Sequence, residues 1–396
     1  MKYAERMERL GTETAFEILR RIQDLTEVRR QNIISFAIGE PDFNTPEHVK
    51  QSAIKAIQEN YTHYTPSAGI SELRQAVAEF VSETKNLNVS AENIVILPSA
   101  KYVIDLALLS CTNPGDEIIY PNPGYPIYES LINVYRCSTC AAQLWESEDW
   151  NYNIDELREC ITEKTKMIII NSPENPTGSV LNQQNLEALA EIALENDIWI
   201  LSDEIYSNIV YDNLKYDSIA AHPDMQERTI ILDGFSKFFA MTGWRLGYAV
   251  VNEHLAEYFE RWATNTISCT ATFTQMAGVT AMLEDKSPSI AMVKEFERRR
   301  DLIHKRLNEI NGISAVKPKG AFYIMANVTG ACEKLGLKNS YDFQEYLLEK
   351  ADVVVLSRQY FCKRSPEERD EYVRFSYCVS YDSIIEGMDR IEKLLL

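Results

Sequence analysis

Long apolar runs are missing from this 396-residue chain. Nothing in it approaches the roughly 20 consecutive apolar residues that a helix needs to span a bilayer. Basic charge is also scarce: 40 Lys and Arg face 59 Asp and Glu, a net −19. A chain of that charge repels nucleic acid and anionic membrane surfaces as a whole. Histidine occurs five times, never near the single Cys-x-x-Cys pair, Cys137 and Cys140. One such pair supplies two of the four ligands a structural zinc takes, so no metal site is expected. Glycine (15) and proline (14) are too few for a collagen-like or disordered chain. The stretch Met1 to Arg21 carries charges throughout and has no apolar centre, unlike a secretion signal. A cytoplasmic protein with its eight cysteines reduced is therefore the expectation. The sequons at Asn88 and Asn327 are then idle.

What is present is a globular composition, 45% apolar and 25% charged. The length suits one large or two moderate domains. Short, nearly all-apolar runs predict strands at Ile94–Leu97, Glu117–Tyr120, Met167–Asn171, Ile198–Ser202, Thr229–Leu232 and Leu246–Val251. Helical patterns lie between them. Over 182–195, Leu186, Leu189, Ala190, Ala193 and Leu194 form one apolar stripe. Buried strands alternating with amphipathic helices predict an α/β fold with a mainly parallel sheet covered on both faces.

The flanks differ. Residues 13–28 read as an amphipathic helix through Phe16, Ile18, Leu19, Ile22 and Leu25. Residues 285–310 read as a long helix whose Glu297-Arg-Arg-Arg-Asp301 run is a solvated face. A last helix opens on the capping-box pattern Ser383-Ile-Ile-Glu386. This predicts a large domain over 48–285. Residues 1–47 and 286–396 form a smaller α/β domain from both chain ends.

Three strand ends of the large domain carry unusual polar residues. They are Met167-Ile-Ile-Ile-Asn-Ser-Pro-Glu-Asn-Pro-Thr-Gly178, Ile198-Trp-Ile-Leu-Ser-Asp-Glu-Ile-Tyr206 and Thr229-Ile-Ile-Leu-Asp-Gly-Phe-Ser-Lys237. Ligands bind beyond the carboxyl ends of strands in such sheets, which places Asn175, Asp203, Tyr206 and Lys237 around one crevice. Ile94-Val-Ile-Leu-Pro-Ser-Ala-Lys101 runs from strand to turn to helix, a place where free amides and the helix dipole favour an anion. Tyr125, after another strand, offers an aromatic face to a flat ligand.

These segments resemble a family. Ser236-Lys-Phe-Phe-Ala-Met-Thr-Gly-Trp-Arg-Leu-Gly-Tyr248 is similar to the cofactor-lysine signature of class I/II aminotransferases. These are fold-type I enzymes dependent on pyridoxal 5'-phosphate (PLP). Ile38-Gly-Glu-Pro-Asp-Phe43, Tyr64-Thr-Pro-Ser-Ala-Gly69, Asn175-Pro-Thr-Gly178, Asp203-Glu-Ile-Tyr206, Gly320-Ala-Phe-Tyr323 and Tyr372-Val-Arg-Phe-Ser376 follow in family order. The resemblance runs from about Leu10 to the C-terminus.

It implies a large domain with a mainly parallel seven-stranded sheet. It also implies a ping-pong exchange of an amino group between an L-amino acid and a 2-oxo acid, through an aldimine and a ketimine. Lys237 is implied as the Schiff-base lysine and proton carrier, and Asp203 as the partner of the pyridine nitrogen. Asn175 and Tyr206 would bond the ring hydroxyl, and Tyr125 would stack on the ring. Arg245, Ser99, Ser236 and the Ala100 and Lys101 amides would hold the phosphate. Arg374 would grip the substrate α-carboxylate with help from Asn175 and the Gly39 amide. Tyr64 resembles the residue that reaches the phosphate of a neighbouring subunit, which implies a homodimer. Lys101, Lys237, Arg245 and Arg374 would gather positive charge in an acidic body, as anion capture requires.

The sequence departs from the family in three places. Pro98-Ser-Ala-Lys101-Tyr102 replaces a glycine-rich turn followed by glutamine. Gly234 replaces a phosphate-binding serine, leaving Ser99 and Ser236. Val355-Leu-Ser-Arg-Gln-Tyr-Phe361 lacks a usual proline and glycine and gains Arg358. Arg358 reads either as an exposed rim arginine or as a second anion contact for the substrate. In the second reading Lys101 and Arg358 favour aspartate or glutamate, while 21 tyrosines equally permit an aromatic substrate. The alternative reaction is that of a PLP-dependent lyase, decarboxylase or cyclase on the same fold.

Overall fold

The computed structural model describes residues 2–11, 18, 20, 22–24 and 26–396. We label the strands of its largest sheet β1 (Ile94–Leu97), β2 (Glu117–Asn122), β3 (Ser138–Gln143), β4 (Thr165–Asn171), β5 (Trp199–Asp203), β6 (Thr229–Gly234) and β7 (Gly247–Val250). Their spatial order is β1-β7-β6-β5-β4-β2-β3. All neighbours are parallel except β7, which runs antiparallel to β1 and β6. The central strands are Ile-, Leu- and Val-rich because helices cover both faces and leave no side for polar alternation. This is the sheet expected from the sequence and the resemblance.

Register fixes the site. Asn171 pairs with Asp203, and Asp203 pairs with Leu232, so β4, β5 and β6 end side by side. Lys237 follows three residues after the end of β6. The chain therefore has no freedom to separate Asn175, Asp203 and Lys237 without breaking the ladder.

A second, four-stranded antiparallel sheet joins Leu356–Ser357, Tyr372–Ser376, Tyr323–Asn327 and Ser314–Ala315 in that order. Arg374 lies at its middle, opposite Met325 and Leu356. Ile34 and Ser35 pair in parallel with Val353 and Val354. The Ser376 amide also donates to the Phe36 carbonyl at 2.7 Å, and the rings of Phe36 and Phe375 meet at 5.5 Å. Residues 34–36 are thus anchored to the C-terminal third, whereas Arg9 and Gly11 bond the large domain at the Asn133 carbonyl (3.0 Å) and Ser130 Oγ (2.9 Å). Of the amphipathic pattern over 13–28, Phe16, Leu19 and Leu25 lie outside the described residues, and Ile18 is buried.

Several expectations are corrected. The polar edge strand β3, Ser-Thr-Cys-Ala-Ala-Gln, has no apolar run to announce it. The helix Gln183–Glu195 forms as expected under an Asn182 cap, but Leu194 faces out at 39% exposure while Ile192 is buried. The solvated face assigned to Glu297–Asp301 is half wrong: Arg299 and Arg300 are buried. Arg300 donates to both Asp212 oxygens at 2.9 and 3.0 Å and to the Pro318 carbonyl at 2.8 Å. Arg299 donates to Asp42 at 2.7 Å. The last helix, Tyr381–Leu395, is capped by Ser380 and not by Ser383. Finally, not all cysteines are free: Cys140 on β3 is bridged to Cys160, with Cα atoms 6.3 Å apart. Among the described residues no helix is long and apolar enough to cross a membrane, and no metal-ligating cluster forms.

Candidate active site

A cleft of about 490 Å³ opens beyond the ends of β4, β5 and β6. Twelve of the fourteen residues singled out from sequence line it: Gly39, Ser99, Ala100, Lys101, Tyr125, Asn175, Asp203, Tyr206, Ser236, Lys237, Arg245 and Arg374. Tyr64 is outside it and 88% exposed. Arg358 is outside it as well and fully buried. It is neither a rim residue nor a substrate contact, because its guanidinium is engaged in a bidentate pair with Glu368 at 2.8 and 2.7 Å.

At the end of β5, Asp203 faces the cleft from a buried position. Tyr128 donates its hydroxyl to Oδ2 at 2.6 Å and the Ile205 amide donates to Oδ1 at 3.2 Å. Burial pushes the Asp203 carboxyl up to about 6, against those two donors, and the nearby Asp233 and Glu204 add to the rise. On β4, Asn171 donates to the Asp203 carbonyl at 3.0 Å and accepts from the Asn175 amide at 2.9 Å. It thereby fixes the loop that presents Asn175.

Lys237 is half-buried on the turn after β6. Its Nζ donates to the Gly39 carbonyl at 2.6 Å and stands 5.7 Å from the Tyr206 ring centre. Gly39 itself can come this close only without a side chain, since a Cβ there would overlap the Tyr323 hydroxyl at 1.7 Å. The Tyr206 and Tyr323 hydroxyls are bonded at 2.8 Å. Arg374 donates to Asn175 Oδ1 at 2.7 Å and to the Ala37 carbonyl. Its guanidinium lies 4.4 Å from the Tyr323 ring centre and 4.9 Å from the Phe361 ring centre.

At the other end, the turn after β1 leads into the helix Lys101–Cys111. Arg245 donates to Ser99 Oγ at 2.7 Å, and the Lys101 amide donates to the same oxygen at 3.1 Å. Lys101 Nζ stands 5.5 Å from the Tyr125 ring centre. Gly247 on β7 permits the turn to sit this low, because a Cβ there would lie 2.1 Å from the Ala100 amide nitrogen. Gly234 faces Gly247 across the ladder, and a Cβ on it would meet the Gly247 Cα at 2.8 Å. The glycine at 234 is thus matched to its neighbour.

Asn171, Tyr128 and Tyr323 shape the site without being assigned from sequence. Tyr323 closes the Gly320–Tyr323 motif and Asn171 lies in the Met167–Gly178 run, so both stand in sequence motifs without a role; Tyr128 follows Tyr125 by three positions in the chain. On the opposite side of the sheet, Lys85 Nζ lies 2.8 Å from Glu204 and 3.0 Å from Asp233. Burial works against the ammonium, but attraction to the two carboxylates outweighs it and raises its pKa.

Glu174 has no counterpart among these pairs. Burial pushes its carboxyl up to about 8, although the Thr177 hydroxyl donates to it at 2.5 Å. A folded state that binds this proton more tightly than the unfolded chain loses stability as pH rises from the ordinary Glu range through about 8. Glu174→Gln is expected to remove that loss, on the order of a few kcal/mol. Denaturant midpoints from about pH 5 to about pH 8 test it: an unchanged slope in the variant contradicts the assignment.

The α/β fold thus brings a lysine and a carboxylate from adjacent strand ends into one cleft with two arginines, Arg245 and Arg374. A family model described as aminotransferase class I and II matches residues 31–391. The chain is 39% identical over 368 residues to an aspartate aminotransferase of Pyrococcus abyssi, covering 92% of each chain. It is 38% identical to an aromatic-amino-acid aminotransferase 2 of Thermococcus litoralis, covering 95% of each. The solved aromatic aminotransferase of Pyrococcus horikoshii superposes with a TM-score of 0.87 at 36% identity, over 96% of this chain and 98% of that one. The chain belongs to the class I and II aminotransferases, a family of enzymes that work with PLP.

Proposed function

We propose that this chain moves an amino group between an L-amino acid and a 2-oxo acid, holding PLP in the cleft beyond β4–β6. One observation carries the reading: Lys237, Asp203, Asn175, Tyr206, Arg245 and Arg374 converge on a single cavity. Two features fit the cofactor. Asp203 is a buried carboxylate facing the cleft, and a cationic ring N–H beside it would hold it ionised. The turn at Ser99 and Ala100, lowered by Gly247 and flanked by Arg245, offers amides and a helix N-terminus to a phosphate.

When bound, the pyridine ring supplies an electron sink for charge developing on the substrate Cα. The protein's residues do the rest. Lys237 would hold the cofactor and, once freed by substrate, take the Cα proton. Asn175 and Tyr206 would orient the ring, Tyr125 would pack against it, and Ser236 would join the phosphate donors. Arg374 holds the α-carboxylate, with Asn175 and the Gly39 amide beside it.

Tyr64 supports a homodimer in which it completes the neighbouring subunit's site. It is 88% exposed, and Tyr61, Tyr258 and Trp262 are exposed as well. Thr264 donates to Ser67 at 2.9 Å and ties this segment to the helix Glu253–Thr266. The separate sheets, with residues 34–35 joined to 353–354, support a large domain over 48–285 and a small one that draws on both ends, while Arg9 and Gly11 bond the large domain at Asn133 and Ser130.

With Arg358 engaged elsewhere, Lys101 is the remaining candidate for an acidic side chain. The names of the relatives point to aspartate and aromatic donors. The test is a single half-reaction of holoenzyme with aspartate, glutamate, phenylalanine and tyrosine. The account expects one equivalent of 2-oxo acid per site from at least one of them. Release of ammonia or carbon dioxide in its place would make the enzyme a lyase or decarboxylase.

A further inference from the structure

Arg358 lies outside the cleft, yet its guanidinium joins three parts of the chain. Nε and Nη2 grip both oxygens of Glu368. Nη1 donates to the Phe361 carbonyl at 2.7 Å. Nη2 also donates to Asn122 Oδ1 at 2.8 Å. Both charged side chains are buried, Arg358 completely. Buried charge pairs this well bonded hold one geometry, because each alternative leaves a charge without a partner.

Two consequences follow for the cleft. The first runs through Phe361. Its carbonyl is pinned by Arg358, and its ring centre lies 4.9 Å from the Arg374 guanidinium, which also packs on Tyr323. Arg374 therefore packs on two rings, and one of them belongs to a residue whose backbone Arg358 holds. The second runs through Asn122 at the end of β2. Asn122 also donates to the Lys363 carbonyl at 2.9 Å, and the Lys363 amide donates to Glu129 at 3.1 Å. These bonds tie the 358–363 segment to both flanks of Tyr125.

We propose that Arg358 and Glu368 form a clasp that positions Arg374, through Phe361, for the substrate carboxylate and locks the 358–363 segment to the Tyr125 loop. Arg358 is a positioning residue and does not touch substrate. The inference rests on the reading of Arg374 as the carboxylate site.

The experiment compares wild-type holoenzyme with Arg358→Met and Phe361→Ala. It measures kcat and KM for donor and acceptor, and binding of a non-reacting carboxylate analogue of the donor, followed in the visible band. Loosening Arg374 is expected to raise KM and the analogue's Kd together by about tenfold or more, the scale of one charged hydrogen bond. The expected change in kcat is less than about threefold, with cofactor occupancy unchanged. Phe361→Ala removes no charge and should reproduce the KM effect even where Arg358→Met fails to fold. The Arg358→Met, Glu368→Met pair gives a folded background without a buried unpaired carboxylate. In that pair KM should rise as in Arg358→Met. Unchanged KM and Kd in a folded Phe361→Ala or double variant would overturn the proposal. Absence of amino transfer in the wild-type enzyme would overturn the functional reading instead.

Discussion

Lys237→Ala is expected to lower amino transfer by about 10⁴-fold, the upper range for loss of a positioned acid–base group. Among the described residues, the other lysine lining the cleft is Lys101, which is exposed and sits beside Tyr125. Lys237 alone reaches the Gly39 carbonyl, beside the place where Arg374 would hold a substrate carboxylate. The stability cost is expected to be small, within about 1 kcal/mol, because the side chain is half-buried on a turn and fills no core cavity. Single-turnover formation of 2-oxo acid measures the rate, and a denaturant midpoint shows that the fold survives. A variant within tenfold of the wild-type rate would mean that another group carries the proton.

Arg374→Met is expected to cost the second largest amount. A carboxylate on a guanidinium makes two charged hydrogen bonds, each contributing about 1.5–3 kcal/mol. Their loss corresponds to roughly 10²–10⁴ in kcat/KM. Asn175 and the Ala37 carbonyl would also lose their donor, so the loop geometry should suffer as well. Arg374→Lys should recover little, since an ammonium cannot match the fork that bridges Asn175, Ala37 and a carboxylate. Steady-state kinetics across several donors tests this. A similar loss for every donor marks the common α-carboxylate, and a loss confined to acidic donors would move Arg374 to side-chain recognition.

The sequence carried the large sheet because its central strands are apolar throughout, and burial on both faces leaves that mark. It carried the cleft because functional side chains follow strand ends within a few residues, so local motifs and register agree. What escaped depends on distant partners. Arg358 is separated by 236 positions from Asn122, and nothing near it in sequence shows that Glu368 folds back over it. Arg300 meets Asp212 across 88 positions, so its charge run looked solvated. The β3 edge strand is half exposed and polar, and the Cys140–Cys160 bridge joins that strand to the end of a helix. Tyr128 acts on Asp203 from 75 positions away. The Tyr125 and Tyr128 rings meet edge to face at 5.6 Å, and of the two Tyr125 lines the cleft.

The central claim is that Lys237 holds the cofactor in this cleft. The measurement that tests it most directly is borohydride reduction of the purified yellow holoenzyme, followed by peptide mapping. The account predicts one stable pyridoxyl group per chain, on Lys237 in the peptide spanning Ser236 to Arg245. A label on Lys101 or any other lysine, or a colourless protein that takes up no PLP, would contradict it.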